Sequence, residues 1–224
     1  MKPIIKVRNL KKEYDGKVIV DVKHMDLYQD RIYFVLGENG AGKSTLLKMI
    51  TNVVSPSSGA LELCLNSDVG YLPQEPYIFD MSVHKNMKLA VKDESKILSL
   101  LKLFELEQLQ FSKANYLSGG EKQRLGFLRV ICNRHNILVL DEPTSSLDIR
   151  ASRLIEQAIQ KYKEETNSCI IITTHDIAFS KRMADDIILM SHGKIVRQGD
   201  FSHVFLQEDE NASEFMKYYH ISEE

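Results

Sequence analysis

The sequence predicts an α/β fold: a mixed, mainly parallel sheet with antiparallel strands at the N-terminal end and an inserted helical subdomain. Three observations predict it. The apolar run Ile32 to Leu36 leads into the glycine-rich stretch Gly37 to Thr45 and then into the helix-like run Leu46 to Ile50. Strand-like and helix-like runs alternate again from Ile137 to Met190. Between these two regions lies a stretch rich in Leu, Lys and Glu with helical spacing.

Taken in order, Ile4 to Leu10 alternates as a strand does, Val18 to Val22 is a second strand, and Asp15-Gly16 between them suits a hairpin turn. Ile32 to Leu36 is apolar throughout, the pattern of a strand covered on both faces. Leu61 to Leu65 and Val69 to Leu72 are further short strands. From Val83 to Leu109 the chain turns helical, with Ile97, Leu98, Leu100, Leu101, Leu103 and Phe104 near helical spacing. This subdomain, about residues 75–133, closes with the helix that follows Leu117. Ile137 to Leu140 is then a strand, Ile149 to Glu165 an amphipathic helix, Cys169 to Thr173 a strand and Ile177 to Met183 a short helix. Ile187 to Met190 and Lys194 to Arg197 flank a turn at His192-Gly193. Asn211 to Tyr219 reads as a last helix and Ile221 to Glu224 as a frayed end. A single domain over residues 1–224 is expected, with no repeat and no long linker.

Composition narrows the function classes. The 224 residues are 43% hydrophobic and 27% charged, with a formal net charge of −2. That balance suits a soluble globular chain and argues against a broad polyanion-binding surface, so no nucleic-acid partner is expected. No apolar run approaches the ~20 residues that span a bilayer, and the charge-broken start is too short for a secretory signal. Cys64, Cys132 and Cys169 form neither a disulfide framework nor a metal spacing. Cys132 and Cys169 sit in apolar runs as core thiols, which suits a reducing, cytoplasmic setting.

The chemistry-bearing stretch is Gly37 to Thr45, GENGAGKST. Gly37, Gly42, Lys43 and Ser44 have the spacing of a phosphate-binding P-loop, which makes the predicted core a P-loop NTPase core. Gly37 and Gly42 permit backbone angles and approaches that side chains block. The amides of Gly40 to Ser44 can then face phosphate oxygens at a helix N-terminus, Lys43 adds a charge for the outer phosphates, and the Ser44 hydroxyl can ligate Mg²⁺. Ile137 to Leu140 followed by Asp141 and Glu142 is a buried strand delivering two carboxylates to the sheet edge where phosphates sit. Asp141 suits the magnesium shell and Glu142 the attacking water. Alone, an apolar run ending in two acids is often only a strand reaching solvent; beside a P-loop it is specific. A second glycine pair, Gly119-Gly120 in Leu117 to Glu121, LSGGE, precedes a helix that Ser118 can cap. Two phosphate-facing loops in one chain suggest sites that each draw loops from two chains.

These motifs resemble those of the ATP-binding subunits of ABC transporters, in the same order, from Tyr14 to Gly199. GENGAGKST, from Gly37, Glu38, Asn39, Gly40 and Ala41 through Gly42, Lys43, Ser44 and Thr45, resembles the Walker A loop, and ILVLDE the Walker B strand. LSGGE resembles the signature, Thr144 to Asp148 the D-loop, His175 the switch histidine and Gln74 the Q-loop glutamine. Tyr14 stands where the family sets an aromatic ring against adenine. The resemblance implies ATP and Mg²⁺ as cofactors and a head-to-tail dimer with a second copy of the chain. Lys43, Ser44, Gln74, Asp141, Glu142 and His175 would then act from one chain, with Ser118, Gly119 and Gly120 reaching across from the other. Gln74 would also touch Mg²⁺ or the water, His175 would bond the γ-phosphate, and Asp148 would organise the dimer contact. The other histidines have no metal spacing.

With no spanning segment of its own, the chain is expected to sit on the inner face of the cell membrane through a separate permease. Glu75 to Ser82, with its aromatics, is expected to line a groove for a helix of that permease. Phe111 to Tyr116, FSKANY, lacks the acidic, glycine-containing stretch that fused exporters carry before the signature, which favours an importer with a substrate-binding protein. The compact build is similar to oxyanion-importer ATPases, such as those for tungstate or phosphate. Glu121, where many importer subunits carry Gln, departs from that pattern. A soluble ABC ATPase acting on ribosomes or DNA, and the ATPase of an efflux system, remain alternatives at this point.

Overall fold

The structure is a computed structural model and describes residues 2–64 and 67–205. The expected helix at 211–219, the end at 221–224, His220 and Leu65 lie outside the described residues.

The chain begins with a hairpin, β1 (Ile5–Tyr14) and β2 (Lys17–Leu27). Asp15 and Gly16 join them at φ 49° and 77°, the left-handed pair that matches the strands' twist. Both strands run longer than the apolar alternation suggests, because the pairing continues through charged positions such as Lys6↔Asp26 and Lys11↔Asp21. β4 (Ser58–Leu63) joins the far side of β1, with Ile5↔Leu63 and Val7↔Leu61 in antiparallel register. These three strands form a sheet of their own, ordered β2-β1-β4.

The main sheet has six strands among the described residues. β3 (Arg31–Gly37), β5 (Val69–Leu72), β6 (Ile137–Asp141), β7 (Cys169–Thr173) and β8 (Asp186–Ser191) are parallel, and β9 (Lys194–Gly199) closes the edge antiparallel to β8. The order β5-β6-β7-β3-β8-β9 puts β3 between β7 and β8. Successive residues of β3 serve two cores. Tyr33 and Val35 face α1 (Lys43–Ile50) and the three-stranded sheet, while Ile32, Phe34 and Leu36 face the helices of the opposite layer. The uninterrupted apolar pattern is therefore the pattern of a strand buried twice.

The opposite layer includes α5 (Ile149–Thr166), whose Ala151, Ile155, Ile159 and Tyr162 form one buried stripe. The Asp148 side chain caps its first turn, accepting from the Ala151 N–H at 2.8 Å, and Asn167 ends it in the left-handed region. α6 (Ile177–Met183) buries Phe179 edge-on against Phe34, centroids 4.9 Å apart. A short α7 (Phe201–Phe205) tucks Val204 and Phe205 under β8 and β9.

Helices α2 (Val83–Lys88), α3 (Glu94–Leu103) and α4 (Gly119–Ile131) fill the interval between β5 and β6. The helical run expected from Val83 breaks at Leu89, and Asp93 restarts it by capping Ser95 and Lys96. α4 carries Gly126 in its interior, normally a cost for a helix. A Cβ there would lie 2.4 Å from Pro76, so the glycine lets the segment after Gln74 pass directly over α4. No helix among the described residues is long and apolar enough to cross a membrane.

Candidate functional site

The parallel strands end on one edge, and that edge carries the chemistry. The loop from Glu38 to Gly42 links β3 to α1. Gly42 sits at φ 96°, and a Cβ there would meet the Ile19 carbonyl at 2.6 Å. The N-terminal hairpin thus presses its second strand against the loop, and only glycine fits between. Gly40 is also left-handed, at φ 82°. Glu38, Asn39 and Gly40 are exposed, whereas Ala41, Gly42 and Lys43 are buried and Ser44 and Thr45 half-buried. No acid occupies the first turn of α1, so its amide dipoles stand uncompensated by a side chain.

Lys43 is 7% exposed. Its ammonium donates to the carbonyls of Gly37 at 2.7 Å and Glu38 at 3.0 Å. Burial lowers its pKa, while Glu142, Asp141 and Glu38 pull it back up. Asp141, 2% exposed, ends β6. Its Oδ1 accepts from the Ser44 hydroxyl at 3.2 Å and from the Thr173 hydroxyl at 2.6 Å.

Glu142 follows at φ 53°, a left-handed conformation unusual for a residue with a Cβ. Its backbone is held on both sides. The N–H donates to Thr173 Oγ1 at 2.9 Å and to the Thr173 carbonyl at 3.2 Å. The carbonyl accepts from Gln123 of α4 at 3.4 Å and from the Ser145 hydroxyl at 3.2 Å. Its carboxylate meets His175 Nε2 at 2.7 Å. Burial pushes the Glu142 carboxyl up from its ordinary range; His175 and Lys43 pull it down, and Asp141 adds to the rise. A cavity of about 930 Å³ opens beside this pair, lined by Glu142, Thr144, Ser145, Leu147, Thr174 and His175 among others.

Sequence reasoning singled out five residues that the fold brings together here: Lys43, Ser44, Asp141, Glu142 and His175. It set His175 on a phosphate; the structure sets it on Glu142. It gave Asp148 to a dimer contact; the carboxylate caps α5. Gln74, two residues beyond β5, is exposed on the same sheet edge. Tyr14 lies at the end of the hairpin whose Ile19 and Val20 flank Gly42; its ring is 47% exposed, with the Lys12 ammonium 4.8 Å from the centroid.

Ser118, Gly119 and Gly120 are elsewhere. Ser118 caps α4 in a capping box: its N–H and hydroxyl donate to Glu121 Oε2 at 2.7 and 2.8 Å. Ser118 and Gly119 are exposed, and among the described residues no atom beyond its own turn lies within 4 Å of a Cβ built on Gly119. Gly120 rests against the loop before α5, where a Cβ would meet the Ser146 carbonyl at 3.1 Å. The segment after Gln74 presents Tyr77, 72% exposed, edge-on to Phe79 at 4.9 Å. Arg129 of α4 braces it, donating to the Tyr77 carbonyl at 2.7 Å with its guanidinium 5.2 Å from the Phe79 ring centre.

Thr173 and Gln123 escaped the sequence reading. The signal for Thr173 was a hydroxyl ending an otherwise apolar strand; its value depends on the register Asp141↔Thr173.

Mg²⁺ and a nucleotide triphosphate fit the residues present. The left-handed loop is a cradle that a Cβ at Gly42 would obstruct, the cation Lys43 is at its centre, and Ser44 with Asp141 supplies the hard oxygen donors that Mg²⁺ selects.

Comparison with known proteins agrees on the nucleotide. The family model described as "ABC transporter" matches residues 20–145. The zinc import ATP-binding protein ZnuC of Buchnera aphidicola subsp. Acyrthosiphon pisum is 33% identical over 192 residues, covering 84% of this chain and 81% of that protein. The tungstate uptake system ATP-binding protein TupC of Peptoclostridium acidaminophilum is 32% identical over 205 residues, 85% of this chain and 96% of that one. In fold, the chain is similar to the ATP-binding cassette MJ0796, solved as a dimer bound to ADP and Pi, with TM-score 0.78, 24% identity and coverage of 88% and 98%. This chain belongs to the ABC transporter family, among its ATP-binding proteins.

Proposed function

We propose that the chain hydrolyses ATP with Mg²⁺ at a site completed by a second copy of itself, and that closing and reopening this pair drives a membrane permease that imports its cargo. The observation that carries the reading is the Glu142–His175 pair at 2.7 Å, set beside Lys43, Ser44 and Asp141 on one sheet edge.

In this reading, the loop amides of Gly40 to Ser44 and Lys43 bind and orient the phosphates. Ser44 and Asp141 hold Mg²⁺, with Gln74 approaching from the neighbouring strand. Mg²⁺ supplies charge neutralisation at the phosphate oxygens. Glu142 accepts hydrogen bonding from the attacking water at a carboxylate oxygen, and its raised pKa brings it nearer the strength a general base needs. His175 holds that carboxylate in place. Tyr14 stacks on the base. Ser118, Gly119 and Gly120 of a partner copy contribute the second anion-facing loop, which excludes water as the pair closes.

Import rests on the relatives: two named here are ATP-binding proteins of zinc import and tungstate uptake, and a third, PotG of Escherichia coli, is one of putrescine transport. Oxyanion cargo such as tungstate rests on the second of these alone. The exposed Tyr77–Phe79 pair braced by Arg129 suits a groove for a permease helix, so the chain would sit at the inner membrane face through that partner. Phosphate release by the purified chain, with and without a co-purified permease, tests the proposal. Turnover that vanishes in Glu142→Gln supports it. Equal turnover in that variant overturns the role of Glu142, and co-purification with ribosomes or DNA in place of a membrane protein overturns the transport role.

A further inference from the structure

Thr173 is fully buried at the end of β7, directly across from Asp141 in the register of the two strands. Its hydroxyl makes two hydrogen bonds whose directions are fixed by chemistry. The Glu142 N–H can only donate, so the Thr173 oxygen accepts from it, at 2.9 Å. The one hydroxyl proton is then given to Asp141 Oδ1, at 2.6 Å. The Ser44 hydroxyl donates to the same Oδ1 at 3.2 Å. Two donors on one oxygen fix the orientation of the carboxylate and leave Oδ2 without a share in either bond. One side chain therefore ties the acid that faces the metal to the backbone of the acid that faces the water, and it does so where Glu142 is held at φ 53°.

We propose that Thr173 is a positioning residue of this site: its hydroxyl orients the Asp141 carboxylate for Mg²⁺ and anchors the Glu142 backbone beside it. The proposal rests on the ATP–Mg²⁺ reading above. Outer partners of metal-ligating groups typically change metal affinity or activity by about 10–100-fold when removed. Valine matches threonine in shape but offers neither donor nor acceptor, whereas serine keeps both.

The test compares the parent chain with Thr173→Val and Thr173→Ser, using a fluorescent ATP analogue titrated in EDTA and then across a Mg²⁺ series, with thermal melting of each protein alongside. The expected result is equal affinity in EDTA for all three. Thr173→Val should need about tenfold more Mg²⁺ or beyond to reach the half-point of the Mg²⁺ effect, and Thr173→Ser should track the parent. A purely structural role would lower the melting temperature without moving the Mg²⁺ midpoint. An unchanged midpoint in Thr173→Val, or a shift in Thr173→Ser as large as that in Thr173→Val, overturns the proposal. Should Thr173→Val fail to fold, Thr173→Ala in the same titration decides in its place. A parent chain that binds the analogue in neither condition overturns the ATP reading itself, and is thereby distinguished from a failure of Thr173 alone.

Discussion

Around the P-loop, Lys43, Asp141 and Glu142 are buried, and each is held by partners from another element of the chain. At the start of α4, Ser118 and Gly119 stand exposed, and Ser118 is held by Glu121 and Lys122 of its own helix. Both loops precede a helix N-terminus with glycines, so local sequence makes them look alike. Their surroundings differ because the first is enclosed by the N-terminal hairpin and the strand ends, while the second faces outward. A site whose charges are desolvated within one chain can bind before its partner arrives. An exposed loop of bare amides gains its electrostatic strength only when a second surface removes the water.

The largest expected effect breaks the enclosed half. Lys43→Ala should weaken ATP binding by about 2–5 kcal/mol, the range for truncating one member of a buried charge pairing; calorimetry of the isolated chain reads it. Retained affinity would show that the P-loop is not the seat. Glu142→Gln should keep ATP affinity and lower kcat by about 100-fold or more, measured as phosphate release. The pH profile of kcat sharpens the same point. Burial raises the Glu142 pKa, so its protonated, inactive fraction grows at higher pH than for an ordinary glutamate. The acid limb should therefore lie above the usual glutamate range, and a limb at or below that range contradicts the assignment.

On the open half, Ser118→Ala should lower kcat by about tenfold, the worth of one hydrogen bond of ~1.5 kcal/mol to a charged group, while leaving the single chain's nucleotide affinity nearly intact. Loss of affinity would mean that Ser118 serves its own chain's site. Glu121→Gln, the smallest effect, keeps the capping geometry and removes a negative charge beside the loop. It should strengthen ATP-driven pairing about two- to fivefold, since charges at a helix end are worth ~0.3–1 kcal/mol.

How far the sequence was legible follows the same division between local and non-local. Val69–Leu72, Cys169–Thr173 and Ile177–Met183 fall where apolar runs and turn residues put them. The P-loop was readable because phosphate binding demands glycine, lysine and hydroxyl at fixed offsets. The pairing of β4 with β1 was not, because Ile5↔Leu63 joins residues far apart in the chain and leaves no local pattern. The role of Thr173 was unreadable for the same reason: its two hydrogen bonds exist only once β6 and β7 lie side by side. The left-handed Glu142 likewise has no sequence signature, since its backbone is held by Thr173 and Gln123 from two distant segments.

The most direct test of a site divided between two copies is the solution mass of Glu142→Gln by light scattering, with and without ATP and Mg²⁺. The account predicts a single-chain mass without nucleotide, a doubled mass with it, and a doubling that needs more protein when Ser118→Ala is added. A single-chain mass at saturating, demonstrably bound ATP would contradict it.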